Sequence, residues 1–157
     1  MMLQIAGYEA GADMFATFVA SQSAQPDAVT QLSAPDFWSQ VSHFFSDAGW
    51  GAVSFEPLHP SIGMLHAADW AEAQNEEAPS DELAESTDPT PSCAFSTGLL
   101  SRFFSALTSS DVAVIELACR AAGADRCSFA FGSEAMIARL DERLRGGMAL
   151  DEALVGL

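Results

Sequence analysis

The sequence predicts an α/β protein of the α+β type, an antiparallel sheet of four to five strands packed with helices. Two observations carry this. Apolar residues recur every three or four positions in four stretches, near 5–22, 33–48, 93–107 and 133–145, the period of a helix with one buried side. Between them lie two pairs of short β-rich runs, 52–58 with 64–70 and 111–119 with 126–132. Each pair is joined by a turn too short to hold a crossover helix, so its strands should run antiparallel. The expected order is α-α-β-β-loop-α-β-β-α, in a single domain spanning 1–157.

The first helix carries Ile5, Tyr8, Ala12, Phe15, Phe18 and Val19 on one stripe. Gly7 and Gly11 weaken it locally but permit another backbone to come close. The stretch SQSAQPD reads as a break. Ser33-Ala34-Pro35-Asp36 is a start signal for the second helix, with Pro in the first turn and an acid near the positive helix end. Phe37, Val41, Phe44 and Phe45 form its apolar face, and Gly49-Trp50-Gly51 ends it. Val53 and Phe55 alternate in the first strand, Pro57, Pro60 and Gly63 punctuate the turn, and 64–70 returns.

Residues 71–92 change character. Seven acids, Glu72, Glu76, Glu77, Asp81, Glu82, Glu85 and Asp88, stand without a basic residue and are interrupted by Pro79, Pro89 and Pro91, which predicts an exposed acidic loop. Ser92 then caps a helix with Phe95, Leu99, Leu100, Phe103, Phe104 and Leu107 on its apolar side. The 111–119 and 126–132 strands turn at Gly123-Ala124. The last long helix, 133–145, points Met136, Ile137, Leu140 and Leu144 inward and stops at Gly146-Gly147. A short helix near 150–155 follows.

Composition sets the function classes. The chain has 157 residues, 49% hydrophobic and 18% charged, which is a globular composition. The N-terminal stretch carries Glu9 and Asp13 and no cation, so it does not read as a signal peptide; with no apolar run long enough to span a bilayer, a cytoplasmic location is expected. The net charge is -16, and all six basic residues are Arg. Such a surface repels phosphate backbones and argues against direct nucleic-acid binding.

Cys93, Cys119 and Cys127 are the three cysteines. In a cytoplasmic chain they can be buried inert thiols, a reactive thiol or a metal site. Centring the last turn on Gly123 sets Cys119 opposite Cys127, Leu117 opposite Phe129 and Ile115 opposite Phe131, all on one face toward the core. Cys93 opens the helix that precedes this hairpin, so the thiols can converge. Glu116 is a lone acid in the apolar run Val112-Ala113-Val114-Ile115 and needs a partner. The simple pleat places it on the opposite face from Cys119, and a bulge near 117–118 or a shifted register is required to bring both to one ion. Three thiolates and a carboxylate suit a closed tetrahedral zinc site, with Arg120 and Arg126 near enough in sequence to offset charge.

The run from Cys93 through the Phe-rich, Gly-containing helix to Glu116-Leu-Ala-Cys119, the Gly-Ala-Asp turn and Cys127-Ser-Phe resembles the 4-vinyl reductase domain family. The upstream Ala48-Gly49-Trp50-Gly51 followed by a strand is similar as well. This family is a small-molecule-binding module related in fold to subunits of the transport-protein-particle (TRAPP) tethering complex. In its phenol-sensing activators a structural zinc is held by Cys, Glu, Cys and Cys. The resemblance therefore implies zinc on Cys93, Glu116, Cys119 and Cys127, with a bulge or register shift resolving the facing problem. It also implies a ligand pocket between helices and sheet. The candidate lining is Phe37, Val41, Phe44, Phe45, Trp50 and Phe104, with His43, His66 and Trp70 as polar handles.

The favoured expectation is a stand-alone binding or sensor module for a small apolar or aromatic ligand, since the chain has no phosphate loop of the form GxxxxGK[ST]. A tetrapyrrole-pathway accessory protein is the second reading; no dinucleotide fingerprint supplies a hydride. A non-catalytic homodimeric interaction module, using the apolar faces of 5–22 and 37–48, is the third. No catalytic residue is assigned: a helix start would activate Cys93, yet no His lies in its segment.

Overall fold

The computed structural model describes residues 2–21, 32–74 and 93–157. The break SQSAQPD, apart from Ser21, and the acidic stretch 75–92 with Ser92 lie outside the described residues. The elements are α1 (Met2–Ser21), α2 (Ala34–Asp47), β1 (Ser54–His59), β2 (Ile62–Ala67), a 3-10 turn (Glu72–Gln74), α3 (Ala94–Thr108), β3 (Val112–Ala118), β4 (Cys127–Ser133), α4 (Glu134–Arg145) and α5 (Leu150–Leu154). Four strands pair in the order β1-β2-β4-β3, every neighbour antiparallel. No described helix is long and apolar enough to cross a membrane.

The sheet is sandwiched. One face packs Leu65, Val114 and Phe129 against Phe18 of α1, Val41 and Phe45 of α2, and Leu99, Leu100, Phe103 and Phe104 of α3. The other packs Ile62, Ala113, Ile115, Leu117 and Ala130 against Ile137 and Leu140 of α4 and Ala153 of α5. Alternate residues of each strand feed alternate faces, so both layers are filled by one sheet.

The start of α2 follows its sequence signal. Ser33 is extended (φ -64°, ψ 152°), and its hydroxyl accepts from Asp36 N, capping α2. Cys93 precedes α3 but offers no side-chain cap. Two carboxylates from elsewhere take that part. Glu116 accepts from Cys93 N at 2.9 Å, and Glu72 accepts from Phe95 N at 3.0 Å and Ser96 N at 2.8 Å. The Ser96 hydroxyl also donates to Glu72 and accepts from the indole N–H of Trp70 at 2.7 Å. Glu72 is thus not a solvated member of an acidic loop. It is half-buried at the α3 N-terminus, where the helix dipole and unpaired amides favour an anion.

The α1 stripe also differs from expectation. Ile5 and Tyr8 are exposed at 54% and 41%, while Gly7 and Gly11 are buried. The reason is the α1–α3 crossing. A Cβ on Gly7 would run into the carbonyl of Phe95, and one on Gly98 into that of Gln4. Helix backbones touch through glycine, so α1 turns its glycine face inward and rotates Ile5 and Tyr8 out. The β1–β2 turn is tighter than expected: Pro57 and Gly63 pair with each other inside the strands, and the chain reverses at Pro60-Ser61.

Candidate metal centre and ligand cleft

The β3–β4 register decides the cysteine cluster. Val114 pairs with Phe131 and Glu116 with Phe129; a bulge then intervenes, and Ala118 pairs with Ser128. The sequence-based pairing of Leu117 with Phe129 and Ile115 with Phe131 is therefore corrected by one residue below the bulge. Ile115 and Leu117 pack toward α4 in the second core, not toward the cysteines. Beyond the bulge the Ala118–Ser128 pairing is the register expected for Cys119 and Cys127. The extra residue at Leu117 is what turns Glu116 and Cys119 to one side of the sheet.

Cys93, Glu116, Cys119 and Cys127 place their ligand atoms within 4.8 Å of one another. The Cys93 Sγ lies 3.7 Å from Cys119 Sγ and 3.9 Å from Cys127 Sγ. A tetrahedral ion with Zn–S bonds of about 2.3 Å sets its sulfurs about 3.8 Å apart, which these two spacings match. All three thiols are buried and none forms a disulfide. Glu116 Oε2 is engaged by Cys93 N, but its Oε1 is buried with no hydrogen-bond partner. A buried carboxylate oxygen without a hydrogen-bond partner beside three sulfurs suits a metal-ligand set. Arg120 and Arg126 leave their side chains exposed; Arg120 contributes its backbone N–H, 3.5 Å from Cys127 Sγ.

The electrostatics of the bare cluster follow from this crowding. The hydrogen bond from Cys93 to Cys127, together with the Arg120 amide, lowers the Cys127 thiol to about 7 against the opposing effect of burial. Cys93, which donates that bond, is buried and faces Glu116, is pushed far up. The signs oppose. Cys127, depressed on folding, contributes stability that is present above the ordinary thiol value of 9 and lost as pH falls through about 7. Cys93, raised, contributes stability present below 9 and lost above it. In metal-stripped protein, thiolate absorbance in the ultraviolet is expected to show one cysteine titrating near pH 7, and Cys127→Ser is expected to remove that step.

Aromatic residues gather at the other end of the sheet. A cleft of about 660 Å³ opens between α2, the end of α3 and the β1–β2 turn, lined by Phe37, Trp38, Phe55, Ile62, Phe104, Leu107, Val112 and Phe131, with His59, Ser110, Asp111 and Ser133 among its polar groups. Trp38 stacks on Phe55 at 4.3 Å with the planes 4° apart, and Phe104 stacks on Phe131 at 4.7 Å.

Of the sequence-based candidates for ligand contact, Phe37 and Phe104 line this cleft. Val41, Phe45 and Trp70 are fully buried in the main core. Phe44 packs on Phe18 and Phe103, and Trp50 stacks on Phe95. His43 is exposed in a groove between α1 and α2, beside Thr17 and Gln40. His66 lies on the sheet, bridging Ser128 Oγ at 2.9 Å and Glu56 Oε2 at 3.1 Å. Trp38, Phe55 and Phe131 join the lining from outside the sequence-based set. Phe55 and Phe131 carry a strand-alternation signal that places them on the helix side; Trp38 lies at i, i+3, i+7 with Val41 and Phe45, so helical spacing carried it as well.

The family model of the 4-vinyl reductase domain matches residues 78–133. No curated protein matches the chain. Two solved structures resemble it in fold. The phenol-responsive sensory domain of the transcription activator PoxR, with phenol, is 15% identical with a TM-score of 0.58, over 87% of this chain and 69% of that one. A vinyl-4-reductase family protein from Methanocaldococcus jannaschii is 14% identical with a TM-score of 0.52, over 82% of this chain and 66% of that one. The chain thus spans about two thirds of the length of each.

Proposed function

We propose that this chain, which carries a 4-vinyl reductase domain over residues 78–133, is a binding module for a small apolar aromatic ligand, braced by a structural zinc ion. The observation that carries the ligand reading is the cleft bounded by the rings of Phe37, Trp38, Phe55, Phe104 and Phe131. Its volume falls in the range of small-molecule sites, and its walls are apolar with few polar groups. The similar PoxR domain is described as phenol-responsive, which agrees in ligand class.

The zinc reading rests on the sulfur spacing and the partnerless Glu116 Oε1. Cys93, Glu116, Cys119 and Cys127 would hold the ion. A bound zinc supplies a closed cross-link between the α3 N-terminus and the β3–β4 hairpin. The residues around it then fix geometry: Glu116 ties Cys93 N, Glu72 ties the next amides, and the bulge sets the Glu116–Cys119 spacing.

Titration of 2-naphthol, followed by thermal shift and tryptophan fluorescence, tests the ligand reading. Binding is expected in the wild type. Trp38→Ala, which removes one wall of the cleft, is expected to weaken it at least tenfold, or by about 1.4 kcal/mol. Full-strength binding by a folded Trp38→Ala protein would place the ligand elsewhere.

A further inference from the structure

We infer that the cleft selects uncharged aromatic ligands and rejects carboxylates of the same shape, and that Asp111 sets this discrimination. The inference rests on the ligand reading above and adds the ligand's charge to it.

Every basic side chain in the chain can be placed. The six basic side chains are all Arg and all lie in described residues. None lines the cleft. Arg102 lies over the Tyr8 ring, 5.5 Å from its centroid. Arg120 and Arg126 flank the β3–β4 turn, at the far end of a hairpin whose strands begin and end at the cleft; seven residues of strand span roughly 23 Å. Arg139 and Arg143 donate to the carbonyls of Ala153, Val155 and Gly156 at the end of α5. Arg145 pairs with Asp141 on α4. The stretches 22–31 and 75–92 contain no Lys or Arg, so no cation can come to the cleft from them.

Two ionisable groups line the cleft, His59 and Asp111. His59 Nδ1 accepts the backbone N–H of Ser61 at 3.2 Å. A ring nitrogen engaged as an acceptor offers no N–H to a ligand carboxylate. Asp111 is exposed at the rim. A ligand carboxylate entering here leaves water for apolar walls, meets a like charge and finds no cation. A hydroxyl meets neither penalty, since a carboxylate accepts from it.

The test compares 2-naphthol with 2-naphthoate, which share a ring skeleton, at about pH 7 and 0.15 M salt, where the Debye length is about 8 Å and the remote acids are largely screened. The wild type is expected to bind 2-naphthol at least roughly tenfold more tightly than 2-naphthoate. Asp111→Asn, which removes the charge but keeps an oxygen able to accept from the naphthol hydroxyl, is expected to bring the two affinities within about threefold, mainly by tightening 2-naphthoate binding. Equal wild-type affinities would overturn the inference and leave the ligand reading standing. A gap that Asp111→Asn does not narrow, with 2-naphthol binding intact, would overturn Asp111 as its source. Binding of neither compound would overturn the ligand reading itself, and this inference with it.

Discussion

Chelating the zinc proposed on Cys93, Glu116, Cys119 and Cys127 is expected to lower the melting temperature by roughly 10 °C. The scale follows from what remains. Breaking a buried charge network by removing one partner typically costs about 3–5 kcal/mol. For a domain of this size each kcal/mol is worth roughly 2–4 °C. Without the ion, three buried thiols and a carboxylate with a partnerless oxygen face one another across less than 5 Å. The α3 N-terminus then stays tied to β3 through Glu116 and Cys93 N. Native mass spectrometry is expected to find one zinc per chain. Calorimetry with and without a chelator reads the loss, and thiol labelling reads the exposure of cysteines that are otherwise buried. Cys119→Ala is expected to reproduce both changes without a chelator. Melting and labelling unmoved by chelation would rule out a structural ion at this site.

Gly98→Val is expected to destabilise the protein by at least about 3 kcal/mol, because its side chain has nowhere to go. The position a Cβ would take on Gly98 collides with the Gln4 carbonyl and comes within 2.8 Å of Tyr8 N. These are backbone atoms of another helix and cannot rotate away. Relief requires α1 to back off, which loosens the contacts of Phe15 and Phe18 with Phe103. Urea denaturation of the variant is the measurement; a midpoint equal to the wild type would mean that the helices do not cross this closely. The metal cluster and the glycine crossing share α3, so combining the substitution with chelation is expected to be non-additive.

Much of this architecture is legible in the residues. The helix faces of α2, α3 and α4 follow from apolar spacing, and Ser33 caps where its pattern says it should. The convergence of the three cysteines follows from one hairpin and one short connection. Alternation alone misplaces the β3 face from Ile115 to Leu117, because it assumes an unbroken pleat and the bulge adds one residue. Such a defect has no composition signal in Glu-Leu-Ala. The lone acid Glu116 is the visible symptom: an ionisable residue in an apolar strand demands a partner, and the bulge provides a route to it.

Glu72 shows the opposite failure. In sequence it is one of seven acids in a proline-punctuated stretch. In space it binds the amides of Phe95 and Ser96, more than twenty positions away. Local charge density could not separate it from its neighbours, since the group that stabilises it belongs to another element.

The sequence alone determined the element order, the antiparallel pairing within each hairpin, the negative field and the set of side chains able to hold a metal. Those properties depend on local spacing and composition, which the chain carries within each segment. The tertiary structure alone decided that Glu116 turns toward Cys119, that α1 packs by its glycines and not by Ile5 and Tyr8, and that the cleft forms around Trp38, Phe55 and Phe131. Each of these depends on the separation between segments distant in the chain. A one-residue shift in a strand or a rotation of one helix changes that separation, and neither leaves a trace in local periodicity.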